Sequence, residues 1–419
     1  MADGQGLAQQ QEDALHQYVV VLKGPAAVRF EQDEFMDQQF NGVPMGNEQV
    51  TIFLMARTRY SDEGFSVPIP RDLWIEVRGP APSLDQAIEA FANLALGLAA
   101  TLSVSANGAV GDLKVELAYD DTPDLNEHEY FQMFIRGERG MMRPSSRVDI
   151  PATLALAQAV NAHPNGEAIN RAIGQYHAAL ATWEPGKETL VLSHLYKGME
   201  ALMDLAKRTE RRKHGLAEND RKGLAAILGV DKREVDETII QSALFAGDAE
   251  CYQTARDARN DYEHGLANFD VIRARARHVV DRTAGYLRAA IIDLAGVGEP
   301  TRATLLSERF DTTMGLWGLV RIVRGHFIGT VDRLAAPDQE YPCLDWQSSM
   351  KSVARSQTGG YEIVPDEKIT PRGHPDIQFR LASLGVWGPR KGAKVEPDTV
   401  QVEVQRSLQE VRELDDARK

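Results

Sequence analysis

Apolar residues come in short β-branched or alternating runs through the first third of the chain: QYVVVLK (17–23), VTIFLMA (50–56), LWIEVRG (73–79), LKVELAY (113–119) and EYFQMFIRG (129–137). Gly, Pro, Asn and Asp cluster between them, so each run reads as a strand bounded by turns. One stretch changes period. Ser83, with Gln86 three residues on, has the form of an N-cap, and Ala87, Ile88, Phe91, Leu94 and Ala95 follow at helical spacing. A helix is therefore predicted over 84–104, and 17–137 reads as an α+β domain.

The stretch GERGMMRPSSRVDIP (137–151) carries two prolines, serines and mixed charge, and a linker is placed at 138–151. Beyond it the period becomes helical throughout. Ala168, Ile169, Ala172, Ile173, Tyr176, Leu180 and Trp183 form one stripe; Leu192, Leu195, Tyr196, Met199, Leu202 and Met203 form a second. A third helix is expected over 232–245, a fourth from Asp248 to a glycine stop at Gly265, and a fifth over about 270–295. These helices, spanning 152–296, predict an all-α bundle.

From 299 strand-like runs return, at 318–334, 361–364, 377–384 and 400–404, and predict a small β-rich domain over 299–405 followed by a charged tail at 406–419. Residues 1–16 are polar and Gln-rich and are expected to be a disordered tail. The fold class is thus multidomain α+β: an N-terminal α+β domain, a central helical bundle and a C-terminal β-rich domain.

Composition narrows the function. The chain has 419 residues, 43% hydrophobic and 26% charged, as in an ordinary globular protein. Acids outnumber bases 61 to 47, a net charge of −14, so any nucleic acid must be held by a local basic patch. Two cysteines, Cys251 and Cys343, cannot build a disulfide framework or a cysteine zinc site. The N-terminus lacks a basic segment before an apolar core, and nowhere do 18 apolar residues run without charge. A cytoplasmic protein with no membrane partner is expected. Neither a G-x-x-x-x-G-K-[ST] loop nor a G-x-G-x-x-G after a strand occurs, and no His/Cys/carboxylate cluster has metal spacing, so neither cofactor nor metal is expected.

The segment ARDARNDYEHG (255–265) holds the candidate chemistry, with Asn260 directly after Arg259 and Gly265 directly after His264. Bare Arg-x4-His also occurs at Arg273/His278, on a basic helix face, and at Arg321/His326, on opposite faces of a predicted strand. The flanking Asn and Gly distinguish the first pair. This pattern on a late helix of a bundle resembles the HEPN superfamily (higher eukaryotes and prokaryotes nucleotide-binding), whose RNase members carry R-x4–6-H, and comes nearest to its Apea-like branch. The run YKGMEALMDLA (196–206), with Glu200 inside an apolar helix, is similar to the family's second long helix. The resemblance spans about 152–296. It departs at Leu266, where members paired with a nucleotidyltransferase antitoxin carry Tyr.

The resemblance implies a metal-independent endoribonuclease, a homodimer through the bundle with a composite cleft, and a role in prokaryotic anti-phage defence or stress. The flanking domains would then meet a trigger protein or ligand. Histidine titrates near cellular pH and arginine offers a permanently charged fork for phosphate. The expected roles are His264 as general acid/base, Arg259 as phosphate and transition-state stabiliser, and Asn260 as positioning group. On a helix Arg259 and His264 lie about 140° apart, which favours two helices meeting over one phosphate. RNA contacts are expected from KRTERRK, meaning Lys207, Arg208, Arg211, Arg212 and Lys213, and from Arg256. The plainer alternatives are a solvated helix end for the run, and an ion pair with Asp257 or Glu263 for Arg256. Glu200 is a support residue or a buried partner for an arginine. Cys251, thirteen residues before His264, lacks a third orienting group for a Cys–His nucleophile. The other function class is a non-catalytic HEPN-type interaction or nucleotide-binding module, which the acidic balance suits.

Overall fold

The structure, a computed structural model, describes residues 15–61, 67–123, 127–133, 145–217, 220–316, 320–328, 330–332, 335–337, 343–355, 361–387 and 393–395. Two compact units divide the chain: Met1–Tyr60 with Pro70–Gly318, and Ser61–Ile69 with Leu319–Lys419. The sheet and the helices, expected as separate domains, fall in the first unit together. Along it run β1 (His16–Pro25), β2 (Val28–Arg29), β3 (Met36–Met45), β4 (Glu48–Ser61), β5 (Ile69–Ala81), α1 (Leu84–Ser105), β6 (Lys114–Asp120), β7 (Tyr130–Gln132) and β8 (Ser146–Arg147). Then come α2 (Ile150–Ala162), α3 (Gly166–Thr182), α4 (Glu188–Lys213), α5 (Arg221–Leu228), α6 (Val235–Ile239), α7 (Ala249–His264), α8 (Phe269–Ala295) and α9 (Glu299–Leu305).

Six strands form one sheet in the order β3-β4-β5-β1-β6-β7, with β1 antiparallel to both β5 and β6. Tyr18 to Leu22 of this inner strand are all buried, so its sequence is a continuous apolar run. Strand β4 alternates instead, with Ile52, Leu54 and Ala56 inside and Phe53 exposed. Ser83 caps α1 as expected, its extended backbone letting the hydroxyl accept from the Gln86 amide. Phe91, Ala95, Leu98 and Leu102 of α1 join the sheet residues in one core. By length and composition α1 would suffice to cross a membrane; most of its apolar window is buried inside this unit.

The expected linker is largely structural where it is described. Strand β8 pairs in parallel with β2, the Val148 amide donates to the Arg29 carbonyl, and the Arg29 guanidinium bonds the Ser145 carbonyl. Asp149 then caps α2. Two-residue strands have no periodic signature, which hides this joint from pattern reading.

In the helical layer α4 packs on α3, α7 and α8, and α3 also packs on α1, joining helices to sheet. The helix expected over 232–245 is shorter: α6 passes into a π turn over Ile240–Leu244, and left-handed Ala246 and Gly247 end it. Residues 299–316, expected to open the β-rich domain, belong to the first unit, beginning with α9.

Two buried polar side chains tie these parts together. Asn107, left-handed at φ 49°, donates to the Phe310 carbonyl at 2.6 Å and accepts from Tyr176 Oη at 2.6 Å and Thr313 Oγ1 at 3.3 Å. Arg288 of α8 donates to the carbonyls of Val104, Ser105 and Leu305 at 2.7, 3.1 and 2.6 Å. The C-terminal end of α1 is thereby bonded to α3, to α8 and to the 305–313 segment.

The second unit holds β9 (Val320–Ile328), β10 (Cys343–Arg355), β11 (Tyr361–Arg372), β12 (Gln378–Trp387) and β13 (Ala393–Val395). They form a β10–β11 hairpin and a three-stranded sheet ordered β13-β12-β9. The strand expected at 400–404 and the tail at 406–419 lie outside the described residues, as does nearly all of the tail at 1–16.

Two expectations about stability follow. Arg288→Met strips the donor from three buried carbonyls and should cost about 3 kcal/mol, read as a lower midpoint in urea unfolding. His177 of α3 has its ring Nδ1 2.9 Å from Ser103 Oγ, and burial holds its pKa below the ordinary value. A histidine depressed in the fold contributes its full stability above the unfolded value of about 6.5 and loses it as pH falls through the folded value. Melting temperature should therefore drop on acidification below about pH 6.5. The His177→Gln variant should show a smaller drop; an identical pH profile for the two proteins would refute the assignment.

Candidate active site

Helix α7 starts and stops on local chemistry. The Asp248 carboxylate accepts from the Cys251 amide at the N-terminus, and Gly265, at φ 62°, closes the C-terminus with its amide on the Asp261 carbonyl. Cys251, Tyr252, Ala255 and Ala258 are buried along the inner side. Arg259 is next on the chain, partly buried against α4.

Its guanidinium is held from three directions. Nη2 lies 3.1 Å from Glu200 Oε1 of α4 and 3.0 Å from Glu263 Oε2 one turn further along α7, and Nη1 donates to Asn260 Oδ1 at 3.1 Å. The charge also sits over the Tyr196 ring, 5.7 Å from its centroid. Nε of Arg259 is buried with no partner among the described residues. Burial first, then the neighbouring Tyr252 and Glu200, push the Tyr196 phenol far above its ordinary pKa, so this hydroxyl stays protonated and is no base.

Three of the sequence-predicted residues, Arg259, Asn260 and Glu200, thus form one cluster, and Glu200 is the arginine's partner. Asn260 binds the guanidinium rather than the imidazole. His264 stands apart: its side is exposed, and its ring has no hydrogen-bond partner among the described residues. This matches the rotation along a helix, since five residues separate the two side chains by about 140°. A single helix does not bring both to one phosphate.

Other candidates divide by partner. Arg256 pairs with Glu237 at 2.7 Å and Asp257 at 3.6 Å and stacks on Tyr252, so it is bound to acids and Glu263 is not among them. In the basic run, Lys207 lies 3.3 Å from Asp204 and Lys213 lies 3.0 Å from Glu210. Arg208 instead donates to Asn165 Oδ1 at 2.9 Å. Arg211 has a buried Nε without a partner among the described residues, and Arg212 and Lys213 are exposed at the end of α4. The run is therefore not one uniform cationic patch.

Cys251 is fully buried with Sγ 3.6 Å from Thr283 Oγ1, and burial raises its thiol pKa, which makes it an inert packing residue. His278 pairs with Glu250 at 2.8 Å on the α7–α8 surface, while Arg321 and His326 lie on β9 in the second unit. Pattern reading offered Glu263 to Arg256 instead of Arg259, and missed Lys197, whose Nζ lies 3.6 Å from Glu263 Oε1. The signal for Glu263 was present as the i,i+4 spacing from Arg259. Among the described residues, no group of three or more His, Cys, Asp or Glu is arranged to hold a metal ion.

Comparison with protein-family models, with curated proteins and with solved structures finds no match to this chain.

Gly265 sets where the helix ends, directly after His264. A Cβ there would meet nothing within 4 Å, so Gly265→Ala carries a backbone cost alone. That substitution should lower unfolding free energy by about 1 kcal/mol, and Gly265→Asn by less, as measured by chemical denaturation.

Proposed function

We propose that this chain is a metal-independent endoribonuclease of HEPN type that cuts single-stranded RNA. The reading rests on His264, an exposed imidazole without a competing partner among the described residues, five positions along α7 from an arginine held by Asn260 and two carboxylates. The imidazole accepts the ribose 2′-hydroxyl proton, the 2′-oxygen bonds to phosphorus, and the bond to the 5′-oxygen breaks as that oxygen takes the proton back from the imidazolium so formed. Arg259 offsets the charge gathering on the phosphorane, and Asn260 fixes the direction of its fork. Products are a 2′,3′-cyclic phosphate and a 5′-hydroxyl. DNA, without the 2′-hydroxyl, is no substrate.

A second copy of the bundle supplies the other half of the cleft in this proposal. Leu266, Phe269 and Val271, within seven residues of His264 along the chain, are 70%, 50% and 46% exposed, apolar side chains of the kind that association covers. One observation favours the other reading, a non-catalytic interaction module: Glu200 and Glu263 already satisfy the Arg259 charge that a phosphate would need.

Incubating the wild type and His264→Ala with total RNA in EDTA separates the two. Cyclic phosphate ends should arise from the wild type, with the variant slower by about 10²–10⁴-fold and no lower in melting temperature. Equal cutting by both proteins would end the assignment of His264.

A further inference from the structure

Beside the cluster, the N-terminal end of α3 and the C-terminal half of α4 enclose a groove of about 340 Å³, lined by Asn165, Arg171, Lys197, Glu200, Asp204 and Arg208 among others. That volume lies in the range of roughly 300–1,000 Å³ typical of small-ligand clefts. Glu200 is shared: it forms part of the groove wall and pairs with Arg259, so a single carboxylate links the groove to the arginine.

Its charges are unevenly committed. Both acids of the wall are engaged from outside, Glu200 by Arg259 at 3.1 Å and Asp204 by Lys207 at 3.3 Å. The three cations are not matched in the same way. Arg208 is braced by Asn165 Oδ1, and no carboxylate among the described residues pairs with it. Lys197, 48% exposed, reaches among the described residues only Glu263 at 3.6 Å, an acid that holds Arg259 more closely at 3.0 Å. Among the described residues Arg171, 64% exposed, reaches only the solvated Glu167, at 3.9 Å. Asn165, which would otherwise cap α3, makes no cap bond and is spent on Arg208.

We infer that this α3–α4 groove binds the ribose–phosphate backbone of an RNA strand next to Arg259, with Arg171, Lys197 and Arg208 as its phosphate contacts. The inference rests on the ribonuclease reading for the identity of the ligand. Of the 207–213 run it keeps Arg208 alone, and adds Arg171 of α3 and Lys197 of α4, which no run of basic residues marks. Exposed, loosely paired cations form phosphate contacts at little cost in broken ion pairs, whereas Lys207 and Lys213 would each first leave a carboxylate.

The test measures binding and cutting separately on the full chain. A fluorescein-labelled 12-residue oligouridylate is titrated in EDTA with His264→Ala, and with the same protein carrying Arg171→Ala and Lys197→Ala. Two lost phosphate contacts on a single strand should lower the slope of log K against log salt by about 1.4 and weaken binding about 10–30-fold near 0.1 M salt. Lys197→Arg, which keeps the charge, should bind nearly as the parent does, and circular dichroism checks that each variant is folded. Unchanged affinity and slope in the double variant, or a parent that does not bind the oligomer, overturns the groove. Cutting is then assayed with His264 intact. A wild type that binds through the groove but leaves RNA whole would remove the nuclease reading alone; a double variant that binds and cuts like the wild type would remove the groove alone.

Discussion

The first unit depends on two polar side chains placed where apolar ones would be expected. Asn107 and Arg288 are 1% and 5% exposed, and between them they bond the last turn of α1, α3, α8 and the segment after α9. An unbonded carbonyl in such a place costs about 1–3 kcal/mol, so each contact must be kept once the parts are buried. The arrangement is stiff for that reason. Sheet and helices share one polar joint instead of being two domains on a linker, and α4 and α7 inherit a fixed frame.

The same accounting, applied to Arg259, explains why the candidate site is asymmetric. A partly buried guanidinium needs compensation, and Glu200, Glu263, Asn260 and the Tyr196 ring provide it. His264 needs none, because it sits past the last buried turn of α7 where water solvates it. One residue is immobilised by its partners and the other is left open to an incoming group. Such a division suits chemistry in which one group holds charge still and the other exchanges protons.

Local chemistry made part of this legible in the sequence. Ser83, Asp248 and Gly265 mark helix ends because a cap is a contact between near neighbours, and the observed limits of α1 and α7 follow them closely. The valine-rich run of β1 was readable because the strand is buried along its length. Strand β3 was not, since MDQQFNGVPM mixes polar and apolar residues with Gly and Pro without clean alternation, and is held by pairing with β4. The junction at 145–148 and the capture of 299–316 by the first unit rest on contacts between distant residues, Arg29 with Ser145 and Asn107 with Phe310, which leave no periodic trace. At the site, Arg259, Asn260 and His264 could be named from spacing. That the arginine binds Glu200 and Glu263, while the histidine binds nothing described, needed the packing of α4 on α7.

Net charge is a poor guide to what such a surface attracts. At physiological ionic strength charges are screened beyond about 8 Å, so a strand lying between α3 and α4 senses the groove before it senses the −14 of the whole chain. What matters within that distance is which cations are already used. Lys207 and Lys213 stand in the most basic stretch of the sequence and are tied to Asp204 and Glu210 at 3.3 and 3.0 Å. Arg208 of the same stretch, and Arg171 and Lys197 away from it, carry looser partners or, among the described residues, none that is charged. Residual charge after pairing, and not density along the sequence, decides where an anion gains most by binding.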